Sequence, residues 1–339
     1  MNERITGYKK SIKVVASEIE ISGGTILITG ASGLIGTCLI DVLTEANRSF
    51  DKHFNIIAMG RSEKKLEKRF KDNKNVHCVS QNIVEPINID GIEYIVHAAS
   101  NADPRSYALF PSETILTNVL GARSVLEYGR QHKTRILLTS TFEVYGKLDQ
   151  DEYDEKDYGI IDLDLIRSSY PESKRAAELL FKSYHDEYGV DCVIARLSSI
   201  YGPTMQSDDS KAHAQFLKNA LDGNDIVLKS LGKQKRTYCY SVDAISGLLA
   251  VLFRGKSGEA YNVANDQSVA TIAEVAETIA DLSGTRVVFE LPDEVESKGF
   301  SKPQNCVLKT DKIKALGWNG RFDLKSGLRE TLTALSGAF

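Results

Sequence analysis

The chain has 339 residues, 42% of them hydrophobic and 26% charged, with a formal net charge of −4. That length buries a large core, and the slightly acidic balance argues against a general nucleic-acid-binding surface. Five scattered cysteines (Cys38, Cys78, Cys192, Cys239 and Cys306) show no CxxC pair or metal-like spacing and read as reduced thiols, while the longest apolar stretch, Leu248 to Phe253, is too short to span a bilayer.

Residues 1–23 read as an amphipathic lead-in that docks on the domain or on a partner subunit. Their polar start has no secretory apolar core, which predicts a cytoplasmic protein. Thr25 to Thr29 is a β-branched, apolar run of strand length, and Gly30, Gly33 and Gly36 follow it at three-residue spacing before a helical pattern begins. Glycines at a strand-to-helix turn allow a tight bend and bring backbone N–H groups close to a pyrophosphate, and the helix N-terminus favours the negative charge. Taken alone, three glycines also fit a plain turn. With a strand before and a helix after, they predict a dinucleotide site.

Strands follow at 54–60, 75–83 and 92–100, with a charged helix at 62–70 between the first two. A helix over 113–132, a strand over 135–146 running into a loop, a helix from Pro171 to Tyr188 and a strand over 190–200 complete the series. This alternation predicts an α/β fold, a Rossmann-type doubly wound parallel sheet over residues 24–202. Its ligands bind beyond the carboxyl ends of the strands, where Gly30, Ala98 to Ser100 and Ser140 to Glu143 converge. After Gly202-Pro203 the pattern changes to a polar loop, a helix near Gln215 to Leu221, short strands and the charged stretch 293–302. Residues 203–339 are therefore expected to form mainly a smaller lobe, with some elements returning to the main sheet.

Tyr170 and Lys174 form a YxxxK pair, one helical turn apart on the same face. An ammonium beside a phenol favours the phenolate and makes the tyrosine a usable base. Thr139 to Thr141 ends the strand before it with hydroxyls able to bond a reacting sugar hydroxyl. At the end of the second strand stand Gly60, Arg61 and Ser62, with no carboxylate for an adenosine ribose. Arg61 and Ser62 suit a 2′-phosphate and so NADP; if Arg61 stacks on the adenine instead, NAD fits. His97 lies on an apolar run and reads as structural.

The chain resembles the extended short-chain dehydrogenases/reductases, within the NAD(P)-dependent nucleotide-sugar epimerase/dehydratase family. GASGLIG, VHAAS, LLTSTFEVYG, YPESK, ARLSSIYGP and KRTYCYSVDA carry the likeness, in the family's order, from about residue 24 to 335. The resemblance implies cofactor contacts from Gly30, Ser32, Gly33, Leu34, Ile35, Gly36, Arg61, Ser62, Asn82, Ile83, Ala98, Ala99 and Ser100, joined by Tyr170 and Lys174. It makes Tyr170 the base at a sugar C4 hydroxyl, Lys174 the holder of the nicotinamide ribose, and Thr141 a hydrogen-bond partner of the same hydroxyl. Phe142, Ser199 and Arg236 fall at substrate positions, Arg236 matching an arginine that pairs with the nucleotide diphosphate. The lobe after residue 203 becomes a substrate-binding lobe.

The family's 4,6-dehydratases carry Asp-Glu where this chain has Phe142-Glu143. Phe142 cannot donate a proton to a departing hydroxyl, whereas Glu143 remains, next to a small residue in the UDP-glucuronate decarboxylases. The pattern favours a decarboxylase-like or epimerase outcome over 4,6-dehydration. Ser199 stands where the family has Asn, and Asn305 where it has a later arginine. The alternatives are an NADPH-dependent keto-sugar reductase and a catalytically silent dinucleotide-binding regulator. The resemblance also implies a nucleotide-diphosphate sugar as substrate, and a homodimer paired through helices 113–132 and 171–188, with no metal, nucleic acid or membrane partner.

Overall fold

The computed structural model describes residues 6–290 and 304–337, so the charged stretch predicted at 293–302 lies outside the described residues. The first half of the chain runs α1 (Thr6–Ser17), β1 (Gly23–Thr29), α2 (Leu34–Ser49), β2 (His53–Gly60), α3 (Glu63–Phe70), β3 (Val76–Ser80), β4 (Tyr94–His97), α4 (Pro104–Leu109), α5 (Pro111–His132) and β5 (Arg135–Thr141). It continues with β6 (Glu152–Tyr153), α6 (Ser169–Tyr188), β7 (Cys192–Leu197), β8 (Ser199–Tyr201), α7 (Ala212–Leu221), β9 (Ile226–Leu228) and β10 (Lys235–Tyr240). The last part holds α8 (Ser241–Arg254), β11 (Ala260–Val263), β12 (Val269–Thr271), α9 (Ile272–Ser283), β13 (Val287–Phe289), β14 (Val307–Leu308) and helices at Asp311–Lys314 and Leu324–Ser336.

Seven strands form one parallel sheet in the order β11-β7-β5-β4-β1-β2-β3. Ile26, Leu27 and Ile28 of β1 are fully buried, because helices cover both faces of a parallel sheet and successive side chains meet opposite layers. The strand order reverses between β1 and β4, and the register pairs Thr29 with both Met59 and His97. The carboxyl ends of β1, β2 and β4 are thereby brought level, which opens a crevice at the switch point.

β11 comes from beyond residue 203 and extends the main sheet beside β7, and α8 packs against α2, β5 and β7. The three-stranded sheet β12-β10-β8 and the pair β13-β9 lie outside it, with α7 and α9 packed together against β9. α1 lays Ile12, Val15 and Ala16 into the core against α2, α8 and the last helix. Tyr8 fixes it further by donating to the Asp41 carboxylate of α2 at 3.0 Å.

α4 escaped the sequence pattern. Its six residues are too few for a periodicity signal, and it is started locally by Pro104 and by Asp103, whose side chain accepts from Ser106 N. Asp103 also accepts from the Ser210 N–H and hydroxyl at 2.7 and 2.6 Å, which ties α4 to the loop after β8. That loop reaches the glycine turn as well: Thr204 Oγ1 donates to Leu34 O at 2.9 Å and Gln206 Nε2 to Ser32 O at 2.5 Å. The segment 204–210 thus forms a strap from the glycine turn to α4.

Candidate active site

A cavity of about 290 Å³ lies along the switch point. Gly30, Ser32, Gly33, Arg61, Ser62, Ile83, Ala98, Ala99 and Ser100 line it. Gly30 has φ of +67°, and an added Cβ there would meet Ala98 O at 2.6 Å. At Gly36 a Cβ would sit 2.6 Å from Gly30 O, so this glycine sets how closely α2 approaches the turn. Gly33 precedes the first turn of α2 in extended conformation and gives it no side-chain cap. Leu34 and Ile35 supply N–H groups at the start of α2, while their side chains pack against Ile200, Cys239 and Ala244 instead of lining the cavity. The Ser100 hydroxyl is buried without a partner, a polar group facing a ligand position.

The cavity is not lined by Asn82. Its side chain accepts from Val84 N at 3.4 Å and shapes a turn, leaving Gln81 and Ile83 to face the groove. Lys65, Asn101, Thr117 and Gln206 line it too and were missed from sequence. Lys65 follows Ser62 by one helical turn, a spacing that signals it; the others arrive by tertiary contact alone. Arg61, Ser62 and Lys65 gather at one end of the cavity. There Arg61 pairs with Glu113 of α5 and donates to Asn101 Oδ1 at 3.3 Å. The glycine cradle, the free N–H groups of α2 and the unpartnered Ser100 hydroxyl fit a dinucleotide.

Tyr170 and Lys174 are both buried on α6. The Thr141 hydroxyl lies in hydrogen-bonding reach of the Tyr170 phenol and also accepts from Glu143 N at 3.2 Å. Lys174 Nζ donates to Thr139 O at 2.9 Å, and burial pulls its pKa down to about 8. Burial first, and then the Glu143 carboxylate, hold the Tyr170 phenol well above its ordinary value. The Lys174 ammonium is engaged with the Thr139 carbonyl of β5, and the nearby charge that raises the phenol is that of Glu143.

Two further residues complete this corner. Tyr107 of α4 stacks on Tyr170 with ring centroids 5.2 Å apart and planes 14° from parallel. Arg167, on the turn before α6, pairs with Glu143 at 3.1 Å. No sequence signal marks Tyr107; Arg167 stands three residues before Tyr170. Behind the site, Glu178 accepts from Arg196 at 2.7 Å and from Ser140 at 2.5 Å, a buried network one turn beyond Lys174. His97 is buried, with Nδ1 2.9 Å from Thr29 Oγ1, and burial pulls it down to about 3, so it stays neutral and structural.

On the lobe, Tyr238 pairs with Ser199 between β10 and β8, and strand alternation puts Arg236 on the same face. The Arg236 guanidinium lies 5.2 Å from the Phe142 ring centroid, so Phe142 joins the end of β5 to β10. Asn305 is committed elsewhere, accepting from Lys235 N at 2.7 Å and donating to Asp151 at 3.0 Å.

Residues 26–264 match the model of the NAD dependent epimerase/dehydratase family. The chain belongs to this family of enzymes. Across 311 residues, this epimerase/dehydratase family member is 32% identical to UDP-glucuronic acid decarboxylase 3 of Arabidopsis thaliana, covering 89% of this chain and 86% of the relative. UDP-glucuronic acid decarboxylase 1 of Xenopus tropicalis is 30% identical over 308 residues, 91% of this chain and 71% of its own. Among solved structures, the family fold is shared with a dTDP-glucose 4,6-dehydratase of Bacillus anthracis in complex with NAD, at TM-score 0.77 and 23% identity, covering 93% of this chain and 97% of that one. An epimerase of Methanothermobacter thermautotrophicus aligns at TM-score 0.79 and 21% identity over 98% of this chain and 96% of that one. Among the described residues, no helix is long and apolar enough to cross a membrane.

Proposed function

We propose that this enzyme oxidises the C4 hydroxyl of a UDP-linked uronic acid and releases its C6 carboxylate as CO₂. The observation that carries this reading is the meeting of buried Tyr170 of α6 with buried Thr141 and half-buried Glu143 from the carboxyl end of β5, beside a dinucleotide cradle. The relatives at about a third identity are UDP-glucuronic acid decarboxylases.

Gly30, Gly33, Ser100 and the first turn of α2 would hold the dinucleotide, which when bound would supply reversible hydride transfer. Tyr170 takes the C4 hydroxyl proton while Thr141 holds the oxygen, and Lys174 meets the ribose. A ketone at C4 stands β to the C6 carboxylate. The C5–C6 bond electrons then pass toward the C4 oxygen as CO₂ leaves, and Tyr170 and Thr141 hydrogen-bond the enolate. C5 then takes a proton from solvent, with the Glu143 carboxylate directing its delivery, and Tyr170 returns its proton to the C4 oxygen as the ketone is reduced again. Phe142 brings no acid to a C6 hydroxyl, which disfavours loss of water. Arg236 takes the diphosphate by bidentate contact, with Ser199 beside it.

A panel of UDP-, CDP-, GDP- and dTDP-sugars read by mass and NMR tests this. Loss of CO₂ from UDP-glucuronate supports it; loss of water, or inversion without change in mass, replaces it. A second reading rests on Arg61, Ser62 and Lys65, whose charge and hydroxyl suit a 2′-phosphate: a net keto-sugar reductase using NADPH. Stoichiometric NADPH consumption would decide for that reading.

The functional unit we propose is a homodimer. α5 and α6 pack on each other yet leave Ile115, Leu116, Leu120 and Leu179 exposed, an apolar face suited to a second copy.

A further inference from the structure

Tyr170 faces an obstacle that the proposed chemistry does not remove. Its phenol must lose a proton beside Glu143, a carboxylate whose charge opposes that loss. The Glu143 backbone is fixed at this position, since its N–H donates to Thr141 Oγ1 and the turn Phe142–Tyr145 begins there. The group that meets its charge is Arg167, which donates from a terminal guanidinium nitrogen to Glu143 Oε2 at 3.1 Å. Arg167 does not stand free. It sits on the turn Ile166–Ser168 that runs straight into α6, and the Tyr107 hydroxyl lies within its hydrogen-bonding reach. Tyr107 in turn stacks on Tyr170.

We propose that Arg167 is a positioning residue for the base: by pairing with Glu143 beside the stacked Tyr107, it neutralises the carboxylate near Tyr170 and lets the phenol ionise. The inference rests on the reading of Tyr170 as the base. The groups that bear on the phenol are Glu143 and Thr141 from the β5 end, Tyr107 from α4 with Asp103 behind it, Arg167 from the preceding turn, and Lys174 one turn along α6. Within this set, Glu143 and Asp103 are the anions. Asp103 is held by Ser210 and Ser106, which leaves Glu143 as the charge that Arg167 must balance.

The test reads the ionisation of Tyr170 directly, by near-ultraviolet phenolate absorbance of the full chain with NAD. Each variant is compared with its own Tyr170→Phe counterpart, so that the other tyrosines cancel. Removing the cation leaves the carboxylate unopposed, so Arg167→Met raises the Tyr170 midpoint by about one pH unit, and Arg167→Lys moves it far less. Glu143→Gln lowers the midpoint, and adding Arg167→Met to it produces no further rise. An unmoved midpoint in Arg167→Met overturns the proposal. So does an equal rise with and without Glu143→Gln, because Arg167 would then act on the phenol by another route. The base assignment fails separately, if Tyr170→Phe alone retains turnover of UDP-glucuronate.

Discussion

At Lys174, burial acts on chemistry and stability together. The side chain is 2% exposed, and its pKa falls from the ordinary 10.5 to about 8. In the unfolded chain the lysine keeps its proton up to about 10.4. Folding is therefore opposed by the charged form below pH 8, and stability rises as pH climbs from 8 towards 10.5. Lys174→Met removes that burden but leaves the Thr139 carbonyl without its donor, so a net gain of about 2 kcal/mol near pH 7 is expected, together with lost turnover. Calorimetric melting alongside rate measurement checks both halves. For the proposed base, Tyr170→Phe should lower the rate on the order of a thousandfold while cofactor binding, followed by fluorescence titration, stays within a few-fold. Both residues were legible as a YxxxK pair, because one helix presents them. The setting of the phenol was legible only in part: Glu143 was expected at the site, whereas Tyr107 comes from α4 and no spacing in the chain records its approach.

Elements with strong periodic patterns were found close to their observed bounds: the strand foreseen at 54–60 is β2 and the helix at 113–132 is α5, begun two residues earlier by Pro111. β-branched runs and amphipathic faces are local signals. α4 and the turn before α6 were not read, since each is short and held by partners distant in sequence, such as Ser210. The same holds for Asn82, placed by likeness in the cofactor groove but used by its own backbone as a turn former. Two predictions belong at this scale. Gly36→Val forces the first turn of α2 away from Gly30 O and Ala31, so dinucleotide affinity should collapse and the melting temperature should drop, as titration and thermal melts would show. Glu178→Ala strands the guanidinium of Arg196, which is 1% exposed, and should destabilise the protein by about 3–5 kcal/mol in denaturant titration.

At the scale of the whole molecule, the exposed leucines of α5 and α6 bear on assembly. Leu116→Glu with Leu179→Glu should give a monomer by light scattering, with the fold retained by circular dichroism, if two copies meet on this face. The central sheet was visible in the chain as alternating strands and helices. Some elements beyond residue 203 were expected to return to this sheet, and β11 does so at its edge beside β7, although its four residues do not mark which element returns.

The strap at 204–210 has one more consequence. Thr204 and Gln206 reach the backbone of the glycine turn from a loop of the opposite lobe, and Gln206 forms part of the groove wall. A nucleotide lodged beneath such a bar can exchange with the medium only when the bar lifts. On the proposed cycle, reoxidation within a single round makes departure unnecessary, and the coenzyme is then expected to stay with the protein through gel filtration. Initial velocity of the purified protein should accordingly be indifferent to added NAD, whereas Gln206→Ala should make it depend on the free pool.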